Sequence, residues 1–538
     1  MELKDKVFAR GKRAATVMLL AAGLLLGATS PSQAIEFKAQ GEGIVGFGGG
    51  DGDLLRKTRA PGGSKNFTNA DDQFGASQRL RLQLDAVASE NLSGTVFFEI
   101  GDQTWGKAEE GGALGADGNN VIKLKNAYID WTVPSTDLQF RMGIQAFALP
   151  NVAGGSAIMD GDAAGITASY KFNDNVALSA FWMRPVNDNY DGDYKGTDRE
   201  NGNRKGYLDN MDFFGLSLPL TFDGFEITPW AMYGIMGRNA MAGFANDENG
   251  DGLRRERWGV HEFPDYQDGD IAHTLLNWHP GMMLGNGALR KSSNAYTSMF
   301  FAGLPIAITA LDPLNIEFDF NYGYVGGYGS YDVLKRGDQI KTADTLRSGW
   351  LAKALVEYKF DWGVPGLFGW YASGDDGNPG NGSERMPSIA GCGNFTSFIA
   401  EGNGDFAVMG NWMDKNLSYA GTWGVGLQVR DISFVEDLSH TIRVAYWGGT
   451  NSPSMTKYMN GTAWNEETAD GPYLTTNDGL LEFNLVNEYQ IYENLTANLE
   501  LGYIVNMIDK GTWDRRWMEE TTQRQDAWKA QLLFTYSF

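Results

Sequence analysis

The chain has 538 residues, 70 of them glycine, is 13% aromatic, and carries a formal net charge of −23 with a single cysteine. So acidic a chain is poorly suited to nucleic acid, and Cys392 alone builds no intrachain disulfide framework. Beyond residue 34 no window approaches the roughly 18 consecutive apolar residues of a spanning helix, which excludes a helical membrane protein.

The N-terminus reads as a signal peptide over residues 1–34. Lys4, Lys6, Arg10, Lys12 and Arg13 form a basic segment, Ala14 to Gly27 is an apolar run, and Ser32-Gln33-Ala34 puts small residues at a cleavage position. The expected mature chain, 35–538, is therefore exported as a single domain. Without disulfides it must hold together by backbone hydrogen bonding and packing.

Alternation with period two dominates the rest. Between Gln78 and Ala88, Leu80, Leu82, Leu84, Ala86 and Ala88 share one face, with Arg79, Arg81, Gln83 and Asp85 on the other. Leu138, Phe140, Met142 and Ile144 oppose Gln139, Arg141 and Gln145, and Leu314, Ile316, Phe318 and Phe320 oppose Asn315, Glu317, Asp319 and Asn321. A strand with one apolar and one polar face needs two different surroundings. The pattern predicts eighteen strands near 35–47, 78–88, 93–105, 121–133, 137–146, 163–172, 175–184, 211–221, 224–235, 296–310, 314–325, 348–360, 364–374, 421–433, 438–449, 479–491, 494–505 and 526–538. Sixteen strands stays open as the alternative count.

The connections alternate between short and long. Short ones centre on Ser89-Glu90-Asn91, Pro134-Ser135-Thr136, Asn173-Asp174, Asp312-Pro313 and Glu493-Asn494, while long ones run through 48–77, 185–210, 236–295, 374–420 and 450–478. A sandwich has no reason to sort its loops this way. The expectation is an all-β, transmembrane, antiparallel up-and-down barrel with short periplasmic turns and long extracellular loops. Trp131, Trp182, Tyr358, Trp362, Trp370, Trp447, Tyr492 and Tyr503 fall near strand ends, where amphipathic rings suit a headgroup layer. Phe534, Tyr536 and Phe538 continue one face of the last strand. An exposed edge there would invite aggregation, so pairing with a first strand that bears Ile35, Phe37 and Ala39 is expected to close the ring.

The leader, the alternating strands and the terminal Phe538 resemble outer-membrane porins. Leu124-Lys125-Asn126-Ala127-Tyr128-Ile129-Asp130-Trp131-Thr132-Val133-Pro134, followed by Leu138 to Gln145, resembles the homotrimeric porins of sulfate-reducing bacteria. The resemblance implies an outer-membrane location and three barrels per assembly. Each barrel would have its own pore, narrowed by a third extracellular loop folded inward, here near 146–162. The implied partners are outer-membrane lipid and lipopolysaccharide, the barrel-assembly machinery and small hydrophilic solutes that diffuse passively. No cofactor is implied.

A narrow pore that selects by charge needs groups of both signs. Asp160 and Asp162 are the candidate acidic half of a constriction, and Arg79, Arg81 and Arg141 the basic half; Arg430 and Arg443 are further lumen candidates. Lys123 and Lys125 share parity with Ala127 and Ile129, which points them toward headgroups or a neighbouring subunit. Other patterns fail. Asp247-Glu248-Asn249-Gly250-Asp251-Gly252 opens like a calcium loop, but Trp258 stands where a bidentate Glu is required. Asp188, Asp191 and Asp193 read as a solvated acidic loop. Gly101 to Lys107 lacks the Ser or Thr of a phosphate-binding loop, and His261, His273, His279 and His440 lack metal-site spacing. No metal site and no enzyme is expected. The alternative function is a substrate-specific porin for sugars, acidic amino acids or other anions.

Overall fold

Backbone N–H and C=O groups facing hydrocarbon must be satisfied within the protein, which only a closed ladder allows for strands. In a computed structural model this ladder closes. The structure describes residues 35–52, 54–57, 73–108, 110–115, 122–187, 210–237, 240, 274–277, 290–291, 294–327, 329–335, 339–398, 406–408, 417–458, 472–513 and 522–538. The leader (1–34), the Asp188/Asp191/Asp193 cluster, the 247–258 loop and His261, His273 and His279 lie outside the described residues.

The ring is built from β1 (Glu36–Asp51), β2 (Gln73–Ser89), β3 (Leu92–Thr104), β4 (Ile122–Thr132), β5 (Leu138–Ala148) and β6 (Asp160–Lys171). It continues with β7 (Ala177–Val186), β8 (Met211–Ser217, extended by Leu220–Phe222), β9 (Phe225–Ile227 and Trp230–Gly237), β10 (Tyr296–Ile308), β11 (Leu314–Val325) and β12 (Arg347–Tyr358). The last six are β13 (Val364–Ala372), β14 (Thr422–Val435), β15 (Leu438–Gly449), β16 (Gly479–Tyr492), β17 (Leu495–Asn506) and β18 (Ala527–Ser537). The larger of the two expected counts is the one observed, and every strand overlaps its expected span. The breaks in β8 and β9 fall at Pro219 and Pro229, which have no N–H to give. Their carbonyls still accept from Ala177 N (3.1 Å) and Leu218 N (3.0 Å), so the ring stays continuous.

Closure runs from Glu42↔Ser537 to Asp51↔Trp528 between β1 and β18, while β1 pairs β2 on its other side. Phe538 adds one more rung, exchanging hydrogen bonds of 3.0 and 2.9 Å with Gly41. Phe534, Tyr536 and Phe538 lie on the outward face of β18, opposite in parity to the buried Gln531, Leu533 and Thr535. Outside the ring, Gly329–Lys335 and Gln339–Asp344 form a hairpin in the connection between β11 and β12.

Outward side chains form an apolar band: Ile129, Ile144, Ile166, Leu216, Leu367 and Leu427 are all exposed. Trp131, Tyr358, Trp362, Tyr492 and Tyr503, all near strand ends, stand on the outer surface. Trp370 and Trp447 do not. Both are buried inside the barrel, their ring centroids 4.3 Å apart, with Trp370 Nε1 donating to Thr422 Oγ1 and Trp447 Nε1 to Glu482 Oε2. Apolar residues occupy both faces of β13 (Phe368 and Trp370 inside, Leu367 and Tyr371 outside), so alternation there carries no sign of which face is which.

One departure from a regular wall shapes the interior. β5 pairs β4 only as far as Ala127↔Ile144, but it pairs β6 on to Ala148↔Asp160. Above the split, the β5–β6 hairpin leaves the wall and bends into the barrel. The bend sits at Gly143, where φ is +136° and a Cβ would stand 2.2 Å from the Ala127 carbonyl oxygen. Only glycine adopts this conformation at little cost. Gly143→Val is therefore expected to lose ~1–3 kcal/mol to backbone strain alone, with the steric clash in addition. A folded barrel resists unfolding in cold detergent and migrates compactly on a gel; the variant should lose that form at a lower temperature than wild type.

Candidate pore constriction

The chain that leaves β5 and returns at β6 crosses the interior to the opposite wall. Val152 N donates to Asp319 Oδ2 (3.1 Å) on β11, and Lys353 Nζ on β12 reaches the Gly155 carbonyl (2.5 Å). Trp230 Nε1 on β9 donates to the Pro150 carbonyl (3.0 Å), and Tyr419 OH to that of Gly154 (2.6 Å). Gly154 and Gly155 both have positive φ, and a Cβ on either would approach a neighbouring oxygen to within 2.4 Å, at Tyr419 and Cys392 respectively. The tip is thus bare backbone held by its carbonyls.

A second segment meets it inside the barrel. Ile389 N and Ala390 N donate to the Ile158 carbonyl (2.8 and 3.0 Å), Asp160 N to that of Ala390 (2.7 Å) and Cys392 N to that of Ser156 (2.8 Å). Ser397 and Phe398, and separately Val408, also meet the wall. Ser397 N donates to Asn484 Oδ1 on β16, Val408 N donates to Gln531 Oε1 on β18, and Phe398 lies 5.6 Å under Lys529 Nζ. Together the two loops form a belt packed on Phe368, Trp370, Phe395 and Trp447. Its contacts fall on the inner faces of β11, β12, β13, β16 and β18.

The wall from β2 to β6 carries three ion pairs. Lys125 Nζ meets Asp162 Oδ2 at 2.5 Å, with Asn126 Nδ2 on Oδ1 at 2.7 Å. Arg81 Nε meets Glu99 Oε2 at 2.7 Å. Arg141 grips Asp130 with both Nε and Nη2 (2.7 and 2.9 Å) and lies 4.1 Å over the Tyr128 ring. Arg79 is buried higher on the same wall, 5.2 Å over the Phe406 ring, and the exposed Asp160 opens β6. Across the lumen Arg430 Nε and Nη2 pair with Glu357 (2.7 and 3.0 Å), and Arg443 Nε donates to Gln428 Oε1 (3.2 Å).

The expected residues thus share one region but not the expected partners. Asp162 meets a lysine that parity had turned outward. The correction has a local cause: a bulge between Phe97 and Phe98 shifts the β3–β4 register, so that Lys125 and Asn126 both reach the interior while Ile122 and Leu124 stay outside. Lys123 likewise sits opposite Glu99 in the ladder. Pattern reading missed Glu99 and Asp130 as partners, although both occupy polar faces. It also missed Lys353, flanked on its own face by Leu351 and Leu355, and residues 385–398, which have no periodicity to read.

Carboxylates in the long loops are shifted from their ordinary range. Burial pushes Asp478 up, although Thr475 N, Thr475 Oγ1 and Trp513 Nε1 all donate to it. Burial also raises Glu384, helped by Asp375 and Asp376 nearby, whereas a hydrogen bond from Thr512 holds Asp509 low. A carboxyl raised on folding binds its proton more tightly when folded, so stability falls as pH rises from the ordinary carboxylate value through the raised one. Asp509 has the opposite sign: its contribution is lost as pH falls below the ordinary value toward its depressed one. Amide exchange near Glu384 and Asp478, corrected for intrinsic rate, is expected to slow from neutral to mildly acidic pH. Around Asp509 it should quicken again in stronger acid.

No family model matches the chain, and no curated protein matches it. Solved structures do. OpdQ of Pseudomonas aeruginosa is 12% identical with a TM-score of 0.46, over 93% of this chain and 98% of its own. OccK8 (OprE) of the same organism is 10% identical with a TM-score of 0.46, over 94% and 98%. Its outer membrane protein OpdK is 10% identical with a TM-score of 0.45, over 93% and 98%. The barrel stands on its own hydrogen-bonded ladders, independent of these likenesses.

Proposed function

We propose that the chain is an outer-membrane porin, a water-filled channel for passive diffusion of small hydrophilic solutes and ions, and not an enzyme. The observation that carries this reading is a contrast in exposure inside one ring. Arg141 and Asp130 face inward yet keep 42% and 36% of their side-chain surface accessible, while Asp319 and Lys353 keep none. Charged groups that stay wet on the inner face of a barrel with an apolar outer face suit a water path.

The path runs along β2 to β6, past Lys125–Asp162, Arg81–Glu99 and Arg141–Asp130, because the belt packs on the other wall. Asp160, Asp162, Arg79, Arg81 and Arg141 belong to its narrow part in this reading, with 146–162 as the constricting loop. The leader at 1–34 and the three-barrel assembly belong to it as well. The trimer is supported by the likeness of 124–145 to porins of sulfate-reducing bacteria; mild cross-linking in detergent should give a three-subunit species.

Purified protein in a planar bilayer is expected to give stepwise, ohmic currents, and a barrel that inserts without conducting would refute the channel. Under a salt gradient, Arg141→Gln should raise the cation-over-anion permeability ratio about twofold, and Asp162→Asn should lower it. A substrate-specific channel is favoured by one observation: Lys125, Arg81 and Arg141, each paired with a carboxylate, place three cations on a single wall. Block of the current by a sugar acid or an acidic amino acid, saturating with concentration, would mark that version.

A further inference from the structure

The tip of the inward loop is held at one point. Lys353 and Asp319 are both fully buried, with Nζ 3.4 Å from Asp319 Oδ2, 2.5 Å from the Gly155 carbonyl and 5.3 Å from the Tyr419 ring. Asp319 Oδ2 also takes the Val152 N–H, and Tyr419 OH donates to the Gly154 carbonyl. Three loop residues within one four-residue stretch, Val152, Gly154 and Gly155, are therefore fixed by two wall side chains and one tyrosine.

A buried ion pair is a weak source of stability, since desolvation offsets much of the attraction, but removing one partner strands a charge in a dry site. The ring does not need this pair. β11 and β12 already share twelve register positions from Leu314↔Tyr358 to Val325↔Arg347. What the pair adds is a place for a glycine tip that has no side chain of its own to anchor. Resting on the porin reading above, we propose that Asp319 and Lys353 are the positioning pair of the pore: they pin the Gly154-Gly155 tip to the far wall and so set the cross-section left open along β2 to β6.

Cys392 supplies an internal reporter, because its backbone N–H bonds the Ser156 carbonyl immediately beyond the tip. The full-length protein would be purified as wild type, Lys353→Met and Asp319→Asn, with gel mobility before and after heating used to select folded barrels. Folded Lys353→Met is expected to show a larger and noisier open-channel conductance. Its Cys392 should react with a bulky charged maleimide about tenfold faster, as local opening becomes cheaper. Asp319→Asn keeps an acceptor for Val152 N and should shift both readouts the same way by less. If either variant folds and keeps wild-type conductance, noise and labelling rate, the proposal is overturned, and should Lys353→Met fail to fold, Asp319→Asn alone decides. A wild-type barrel that carries no current would sink the porin reading instead, while the labelling rates still report on the pin.

Discussion

Everything in this molecule depends on a ladder without ends. A strand at the edge of an open sheet leaves a row of unpaired N–H and C=O groups, which water can satisfy and hydrocarbon cannot. The ring meets that demand by pairing β18 with β17 on one side and β1 on the other, down to the Phe538 rung on Gly41. Once closed, each strand presents one face outward and one inward, and residue parity becomes a statement about solvent. Asp130 and Arg141 can be charged because their stretch of the inward side is wet, and the buried Glu357 because Arg430 pairs with it. Ile129, Ile144 and Leu427 can stay bare because the outward side is apolar.

Parity is also why so much of the fold is legible in the sequence. Eighteen spans, their short and long connections and the closing role of the last strand follow from alternation and turn residues. Where alternation was clean, as at Asn315, Glu317, Asp319 and Asn321, the inward face was placed correctly. The failures have local causes. The bulge beside Phe97 inverted the sense of Lys123 and Lys125 without leaving a mark in the pattern. In β13 the apolar residues of both faces hid that Trp370 belongs inside. The belt was legible only in part. Pro150, Gly154 and Gly155 signal a tight segment between strands, but Ile389, Ala390 and Cys392 meet it only through the closed fold.

The interior divides the labour between backbone and side chains. The outer hairpin, the turns and the ring itself are backbone structures with regular registers. The tip of the inward loop is held by single donors reaching carbonyls, Lys353 to Gly155, Tyr419 to Gly154 and Trp230 to Pro150, and by Val152 N on Asp319. Such contacts fix a position without fixing a sequence at the tip, provided that glycine is kept where φ is positive. The buried pair formed by Glu500 and Lys529 (3.5 Å) plays a comparable part on the other wall, with Lys529 over Phe398 and Gln531 linking to Glu500 (2.6 Å).

The docking of the loop between β5 and β6 has a bearing on the order of events during assembly. That segment belongs to the first third of the chain, yet its supports stand on β9, β11 and β12, and the stretch that meets it leans on β16 and β18. None of those supports is in place until the later strands have joined. The loop can therefore take its final place only once those strands are present. Its tip, Gly154 and Gly155, brings no side chain of its own to that docking.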